Sequence, residues 1–190
     1  MRHDLPQTPP PLGADLRALR RARGITLAQL SDALGRSVGW LSQVERDLSE
    51  PSITDLRHMA KEFDVPVSIL FRHTAAPADE AGYVVRAGAR RPIGSSIAGL
   101  VEELLSPDLT DDFEMVHSTF LPHSSIKDAV TRPTQEVGYV ISGTLEIEID
   151  GTVHTLNAGD SFRIRGEAFR WANRTPDPVV AIWVIAPPVY

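Results

Sequence analysis

The chain contains no cysteine, which excludes disulfides, thiolate metal sites and cysteine nucleophiles. It has no apolar run near the roughly 18 residues that a membrane span needs, and its N-terminus lacks a signal-peptide core. These absences predict a cytoplasmic protein without a membrane segment. An apolar content of 42% is ample for packed cores, so a length of 190 residues predicts one or two domains.

A strongly basic surface is missing as well. The chain has 19 basic and 25 acidic residues, for a net charge of −6. Residues 1–73 hold 10 basic and 9 acidic residues, and residues 74–190 hold 9 and 16. Affinity for DNA comes largely from neutralising phosphates. A single copy of the near-neutral first region should therefore bind DNA weakly, and we expect two copies on two half-sites.

Hydroxyl side chains mark three helix starts in the first seventy residues. Thr26, Ser37 and Ser52 each precede apolar residues at helical spacing, and such side chains accept an unpaired backbone N–H. Gly35 permits the left-handed conformation that often follows a helix end. The predicted apolar faces are Leu27, Leu30 and Leu34 in one helix and Val38, Leu41 and Val44 in the next. So short a turn makes these two helices cross steeply and presents the second outward.

Residues 12–72 resemble the Xre/Cro-type helix-turn-helix family, which includes lambda- and 434-repressor-like proteins. The resemblance lies in the hydroxyl-x-x-Gln run at 26–29 and the segment LSQVER at 41–46. Further matches are Arg20, Gly24, Leu30, Ser37, Pro51, Ser52, Leu56, Leu70 and Phe71. The resemblance implies an all-α domain of five helices that binds a double-stranded DNA operator. Its third helix would enter the major groove with its N-terminal residues at the base edges.

The same resemblance assigns DNA contacts to residues around the third helix. The base-facing positions are Val38, Gly39, Ser42 and Gln43, with Gln29 and Ser37 near phosphates. Gln43 can pair with N6 and N7 of adenine, and Val38 can contact a thymine methyl group. Gly39 has no side chain to read a base, so DNA shape is expected to carry part of the specificity. Trp40 is expected to contact either the DNA backbone or the first helix.

Three other residues of this region have structural interpretations. In the family, the residues that match Arg20 and Glu45 form an ion pair that braces the first helix against the third. We prefer this role to DNA contact for both residues, because losing one partner of a partly buried pair is destabilising. Asp47 stands where the family usually has Gly, and Asp tolerates the left-handed conformation.

The pattern changes after the helices. Residues 1–11 are proline-rich and predict a disordered tail, and the small residues of 73–82 indicate an interdomain linker. From residue 83 the apolar period is two, which is typical of strands. The predicted strands are 83–86, 113–121, 136–141, 144–149, 153–156, 161–164, 169–172 and 179–185. Asp150-Gly151 predicts a hairpin turn, and many short strands indicate a sandwich or barrel.

Residues 83–190 resemble a cupin domain, which is an all-β double-stranded β-helix or jelly-roll. The resemblance lies in QEVGYVISGTLEIEIDG at 135–151 and in the segment 158–184, with weaker matches at 102–109 and at Leu121-Pro122. The whole multidomain chain thus resembles Xre-family transcriptional regulators with a C-terminal cupin sensor domain. We expect the cupin domain to hold a homodimer, with apolar outer strands such as 179–185 as the interface.

The cupin metal motif is largely absent. Counted from Glu136, the two histidine positions of the first motif are Val130 and Arg132, and the histidine position of the second is Phe169. Neither Val, Phe nor Arg can coordinate a metal, so we predict no metal and no cofactor. Arg132 places a fixed cation where a metal ion would sit, which favours an anionic or zwitterionic effector near Arg132, Glu136 and Phe169. The alternative is that Arg132 and Glu136 pair and fill the barrel.

Three functions fit these patterns. The first is a dimeric DNA-binding regulator controlled by a small-molecule effector. The second is an enzyme, since iron-dependent epoxidases also join a helix-turn-helix domain to a cupin. That chemistry needs two histidines and a carboxylate, and Arg132 and Phe169 replace the histidines, so we expect no catalytic residues. The third is a DNA-binding protein whose cupin only dimerises.

Overall fold

The computed structural model describes residues 12–70, 79–80, 82–93, 97–107, 109 and 111–188. They form two compact units. The first holds the helices and extends to Arg91, and the second holds the strands, with Pro92–Ser106 and the chain from Asp111 onward. The predicted tail at 1–11 and most of the predicted linker at 73–82 lie outside the described residues. Within that part of the chain, no helix has the length and apolar character needed to cross a membrane.

The helical unit contains five helices in its described part, as the resemblance implies. They are α1 (Leu12–Ala22), α2 (Leu27–Leu34), α3 (Val38–Val44), α4 (Ile53–Phe63) and α5 (Val67–Leu70). Thr26, Ser37 and Ser52 are the N-caps of α2, α3 and α4, and each side chain accepts a backbone N–H of its helix. Gly35 ends α2 in the left-handed conformation, with φ of 61°. The predicted helix starts and the turn between α2 and α3 are confirmed.

The core of this unit is built from one apolar face of each longer helix. Its fully buried side chains include Leu16, Leu19, Leu30, Leu41, Met59 and Phe63. One prediction about the face of α3 is wrong. Leu41 and Val44 are buried, but Val38 is 46% exposed, because it is the first residue of the helix and does not reach the packed side. A single exposed valine costs little stability, so the third helix keeps an apolar side chain on its outer surface.

The second unit contains ten strands among its described residues, arranged in two sheets. The strands are β1 (Arg91–Ile93), β2 (Leu100–Leu104), β3 (Glu114–Phe120), β4 (Ser124–Ser125), β5 (Gln135–Ser142), β6 (Thr144–Ile149), β7 (Thr152–Asn157), β8 (Ser161–Ile164), β9 (Phe169–Asn173) and β10 (Val179–Ala186). One sheet has the order β1-β2-β3-β10-β5-β8 and the other β4-β9-β6-β7. The inward faces of both sheets form one apolar core, so the predicted jelly-roll architecture is confirmed.

Seven of the predicted strands correspond to β3 and to β5 through β10. The predicted hairpin turn is also present, since Asp150 and Gly151 both have positive φ, at 46° and 80°. The strand predicted at 83–86 is absent. That stretch is solvent-exposed, with Tyr83 84% exposed, and only a short 3-10 helix (Ala87–Ala89) follows it. Its run of β-branched residues therefore has no sheet to complete, and local propensity alone does not make a strand.

Candidate functional site

The predicted base-facing residues lie on α3, and most of them are exposed. Val38, Gly39 and Gln43 are exposed, and Ser42 is half-buried. A side chain added at Gly39 would meet no atom within 4 Å, so the backbone there can approach a groove closely. Ser37 is the N-cap of α3 and fixes the start of that helix, because its Oγ accepts the Trp40 backbone N–H at 3.1 Å. The contacts of these residues with DNA remain a prediction.

The two glutamines predicted to contact DNA each accept a hydrogen bond from a hydroxyl group. Gln29 Oε1 accepts from the backbone N–H and Oγ of Thr26, at 2.9 and 2.8 Å, in the capping box of α2. Gln43 Oε1 accepts from Ser49 Oγ at 3.0 Å. In both residues the engaged atom is the acceptor oxygen, so the amide NH₂ group can donate to DNA. The bond from Ser49 also fixes the side-chain direction of Gln43, which lowers the entropy cost of binding a base.

Arg20 and Glu45 form the predicted brace between α1 and the end of α3. Arg20 Nε lies 2.5 Å from Glu45 Oε1, and Arg20 Nη2 lies 3.0 Å from Glu45 Oε2. The third donor, Nη1, donates to the carbonyl of Ile25 at 2.8 Å. The two residues are 7% and 8% exposed. A bidentate, buried pair of this kind fixes the angle between two helices, and its interpretation as structural is confirmed.

The turn after α3 is attached to the start of α1. Asp47 has φ of 56°, so it takes the left-handed conformation expected at a position where the family has Gly. Its Oδ1 accepts the Gly13 backbone N–H at 2.9 Å. A Cβ added at Gly13 would lie 2.3 Å from the Val44 carbonyl oxygen, so α1 approaches α3 more closely than any other residue would permit. Asp47 therefore gains a contact that Gly could not make.

Trp40 has a partner that the sequence did not suggest. The Arg36 guanidinium lies 5.1 Å from the centre of the Trp40 ring, and its Nε and Nη2 donate to Asp55 at 3.0 and 3.2 Å. Burial alone would raise the pKa of Asp55, but hydrogen bonds from Arg36 and Ser52 outweigh it and lower that pKa. The carboxylate thus stays charged and caps α4, while Arg36 links α4 to the indole on α3.

Basic residues border α3 even though the unit is nearly neutral. Arg17, Arg21 and Arg46 line a cleft with Ser42, and all three arginines are exposed. Arg46 also donates to the carbonyl of Ser42 at 3.0 Å. Arg23 is used differently, because its Nε donates to the Phe63 carbonyl at 2.7 Å. Arg17, Arg21 and Arg46 therefore place three exposed cations beside Ser42 of α3.

In the β unit, the four positions of the cupin metal motif meet at one cavity. Val130 and Phe169 exchange two backbone hydrogen bonds, of 2.7 and 2.9 Å, which attach the segment before β5 to β9. Arg132 follows on the same segment, and Glu136 is on β5 with its side chain 1% exposed. All four residues line one cavity, whose space open to a water-sized molecule is about 30 Å³. The remaining walls are apolar side chains and two further polar ones, Glu102 and Ser118.

Arg132 and Glu136 lie near each other but form no direct hydrogen bond. Arg132 Nη1 lies 3.8 Å from Glu136 Oε1, which is longer than a hydrogen bond. Glu136 Oε1 instead accepts from Thr134 Oγ1 at 2.7 Å. Its other oxygen, Oε2, is buried and receives no hydrogen bond from any residue that the structure describes. The two side chains are therefore not joined by a hydrogen bond, and Glu136 Oε2 has no donor among the described residues.

Glu102 is the site residue that sequence reasoning missed. It lies on β2 opposite Ser118 of β3, and Ser118 Oγ lies 3.4 Å from Glu102 Oε1. Burial raises the pKa of Glu102, and the nearby Glu136 acts in the same direction, while Arg132 and the Ser118 hydroxyl oppose them. The segment containing Glu102 matched the cupin pattern, but β2 was not predicted as a strand. Without that strand, its alternating face could not be assigned to the interior.

The described residues do not offer a metal site. No three of their His, Asp and Glu side chains come together as metal ligands would. Arg163 on β8 and Arg165 just after it are both exposed, and they alternate with Phe162 and Ile164. They therefore contribute no charge to the cavity. The polar side chains at the cavity are Glu102, Glu136, Ser118 and Arg132. The carboxylates accept hydrogen bonds and the guanidinium donates them, which suits binding of an organic molecule.

Comparison with known families agrees with this division. A helix-turn-helix domain model matches residues 11–68, and a cupin domain model matches residues 116–185. The chain thus combines a helix-turn-helix domain with a cupin domain, and the curated proteins it resembles are helix-turn-helix transcriptional regulators. It binds DNA through its helical unit.

Relatives of this regulator share both domains. It is 24% identical over 155 residues to the HTH-type transcriptional regulator PuuR of Escherichia coli, covering 80% of this chain and 81% of PuuR. It is 27% identical over 158 residues to the HTH-type transcriptional regulator SutR of the same species, covering 82% and 83%. A solved HTH_3 family transcriptional regulator from Vibrio cholerae is 21% identical, with a TM-score of 0.44 and coverage of 94% and 96%.

Proposed function

We propose that this DNA-binding regulator acts as a homodimer whose operator affinity is set by a small molecule bound in the cupin cavity. The observation that carries the proposal is the buried, incompletely paired carboxylate of Glu136, which lies beside Arg132 and Glu102 in a cavity with mostly apolar walls. Such groups cost stability when no ligand satisfies them. Regulation requires only that the ligand bind one arrangement of the dimer better than another.

Operator reading is assigned to the outer face of α3. Val38 and Gln43 would contact base edges, and Ser42 would lie beside them. Gln29, Ser37, Arg17, Arg21 and Arg46 would position the backbone through phosphates. Gly39 allows close approach without reading a base, and Trp40, held by Arg36, would pack beside the backbone. This arrangement gives few direct base contacts, so operator shape is expected to contribute to specificity.

An enzyme is the less supported alternative. The metal-dependent chemistry of cupins needs histidine ligands, and the two histidine positions nearest Glu136 are occupied by Val130 and Arg132. The third is Phe169, whose ring has no lone pair for a metal. We therefore propose that the cupin of this regulator binds a molecule without transforming it.

We expect the outer face of the six-stranded sheet to hold the dimer. Its exposed apolar residues are Val101, Met115, Val137, Tyr139, Ile141 and Val184, and an apolar patch of this kind is uncommon on a monomer. Val137 and Val184 are cross-strand neighbours at its centre. Changing both to Glu should convert a dimer into a monomer in sedimentation and weaken operator binding at least tenfold.

The matched control for this prediction is Val153→Glu on β7, where Val153 is 57% exposed in the other sheet. That variant should remain dimeric. A wild-type protein that sediments as a monomer at tens of micromolar would reject the dimer, and a dimer that survives both glutamates would place the interface elsewhere.

Arg132→Ala should abolish the response to an anionic or zwitterionic effector. A metabolite library screened by thermal shift would first identify a stabilising compound, since a ligand that binds only the folded state raises the melting temperature. Titration of that compound should then show at least tenfold weaker binding to Arg132→Ala, because one charge-assisted bidentate contact is lost. Arg163→Ala, on the exposed side of β8, is the control and should bind as wild type does.

This experiment also separates the remaining alternative, a cupin that only dimerises. If the cupin only dimerises, no compound of the library would raise the melting temperature, and none would change the affinity of the protein for its operator. A compound that binds Arg132→Ala and wild type equally would show that binding occurs away from the cavity.

A further inference from the structure

The effector cavity presents charges of both signs that do not satisfy each other. Arg132 is 3.8 Å from the nearer oxygen of Glu136, and that oxygen already accepts from Thr134. Glu136 Oε2 faces no donor among the described residues, although its side chain is only 1% exposed. A buried carboxylate oxygen without a donor is destabilising. A ligand that brings an N–H group to this oxygen would remove that cost.

The charge of the cavity indicates that this N–H group is cationic. Two carboxylates, Glu102 and Glu136, line the cavity against one guanidinium. Burial and the nearby Glu136 raise the pKa of Glu102, and an ammonium placed between the two carboxylates would oppose that effect and stabilise both as anions, which a neutral donor would not do. Aromatic side chains complete the walls, since Phe169, Trp171 and Trp183 are at most 6% exposed. The faces of such rings attract cations, so the aromatic walls also favour an ammonium.

Arg132 requires the opposite charge on the same ligand. Its side chain is 36% exposed and lines the cavity, and a guanidinium fork matches the planar shape of a carboxylate. Because Arg132 and Glu136 are only 3.8 Å apart, the two charged groups of the ligand must also be adjacent. An α-amino acid has this arrangement, with its ammonium and carboxylate on one carbon.

We propose that the effector is a small α-amino acid, or a close derivative, with its ammonium between Glu136 and Glu102 and its carboxylate on Arg132. Aliphatic side chains, among them Leu100, Ile126 and Ile185, also line the cavity, which favours an apolar side chain on the ligand. The space inside the cavity that is open to a water-sized molecule is about 30 Å³, so the side chains that line it must move apart to admit a ligand, and only a small molecule fits. This inference rests on the proposed control by an effector and names its chemical class.

The test compares matched probes on the full-length protein by thermal shift and titration calorimetry. L-valine is compared with isovalerate, which lacks the ammonium, and with isobutylamine, which lacks the carboxylate. L-alanine, propanoate and ethylamine form a second set. One of the amino acids should stabilise the protein, and its two partial analogues should bind at least tenfold more weakly.

Glu136→Gln supplies the matched variant, because it keeps the shape and removes the charge. It should weaken the amino acid by about tenfold to a hundredfold while leaving isovalerate or propanoate unchanged. Its melting curve without ligand should equal or exceed that of wild type, since an unpaired buried charge is lost, and this shows that the variant is folded. Glu102→Gln should weaken the amino acid in the same direction.

Each failure has a separate meaning. If the acid alone binds as well as the amino acid, the ammonium assignment is wrong. If the amine alone does so, the carboxylate assignment is wrong. If neither amino acid binds, the effector class is overturned, and the library screen with Arg132→Ala still decides whether any effector uses the cavity.

Discussion

Arg20→Ala is expected to lower the free energy of unfolding of the helical unit by about 3–5 kcal/mol. The substitution leaves the Glu45 carboxylate buried without its two donors, at 2.5 and 3.0 Å, and leaves the Ile25 carbonyl without its bond from Arg20. It also frees α1 from the end of α3. Thermal melts that follow the helical circular dichroism signal would measure the loss.

Two variants make this expectation specific. Arg21→Ala removes an exposed neighbour on the same helix and should change the melting temperature little. Arg20→Met combined with Glu45→Leu removes both charges and should recover much of the lost stability, because apolar side chains can replace a buried pair. If Arg20→Ala melted like wild type but no longer bound DNA, Arg20 would be a DNA contact and the brace would be wrong.

Gln43→Ala is expected to weaken binding to the operator by about 1–3 kcal/mol, which is roughly 5- to 150-fold. Gln43 is exposed on α3 and its direction is fixed by Ser49, so the loss reflects the base contact itself. The loss should be confined to operators that carry the contacted adenine. An operator selected from random-sequence DNA and its single-base variants would provide the measurement by fluorescence anisotropy.

Arg46→Ala gives the contrasting pattern. Arg46 is exposed beside the recognition face, and as a phosphate contact its loss should weaken all sequences alike and reduce the salt dependence of binding. If Gln43→Ala also weakened every sequence equally, Gln43 would be a backbone contact and base reading would have to come from Val38 and Ser42.

Much of the fold followed from local chemistry in the sequence. The hydroxyl caps at Thr26, Ser37 and Ser52 and the left-handed Gly35 define α2, α3 and α4 before any tertiary contact is known. Period-two alternation located seven of the ten strands among the described residues. The same alternation misled at 83–86, because a strand needs a partner that the sequence pattern cannot supply.

The sites were predictable where a motif fixes the spacing, and not where contacts come from distant segments. Counting back from Glu136 identified Val130 and Arg132, and the structure places both on one cavity with Phe169. Glu102 reaches this cavity from β2, some thirty residues earlier, through strand pairing that periodicity did not indicate. In the helical unit, the link from Trp40 through Arg36 to Asp55 joins three segments, and its cation–ring contact has no sequence signature.

The central claim is that this regulator reads a specific operator as a dimer through α3. It is tested most directly by incubating purified full-length protein with fragments of its own genome and sequencing those it retains. The retained fragments should share an inverted repeat whose half-sites lie about 10 base pairs apart, or a multiple of that spacing, and Val137→Glu with Val184→Glu should retain almost none. Retained fragments without a common sequence, or the same fragments retained by a monomeric variant, would contradict the claim.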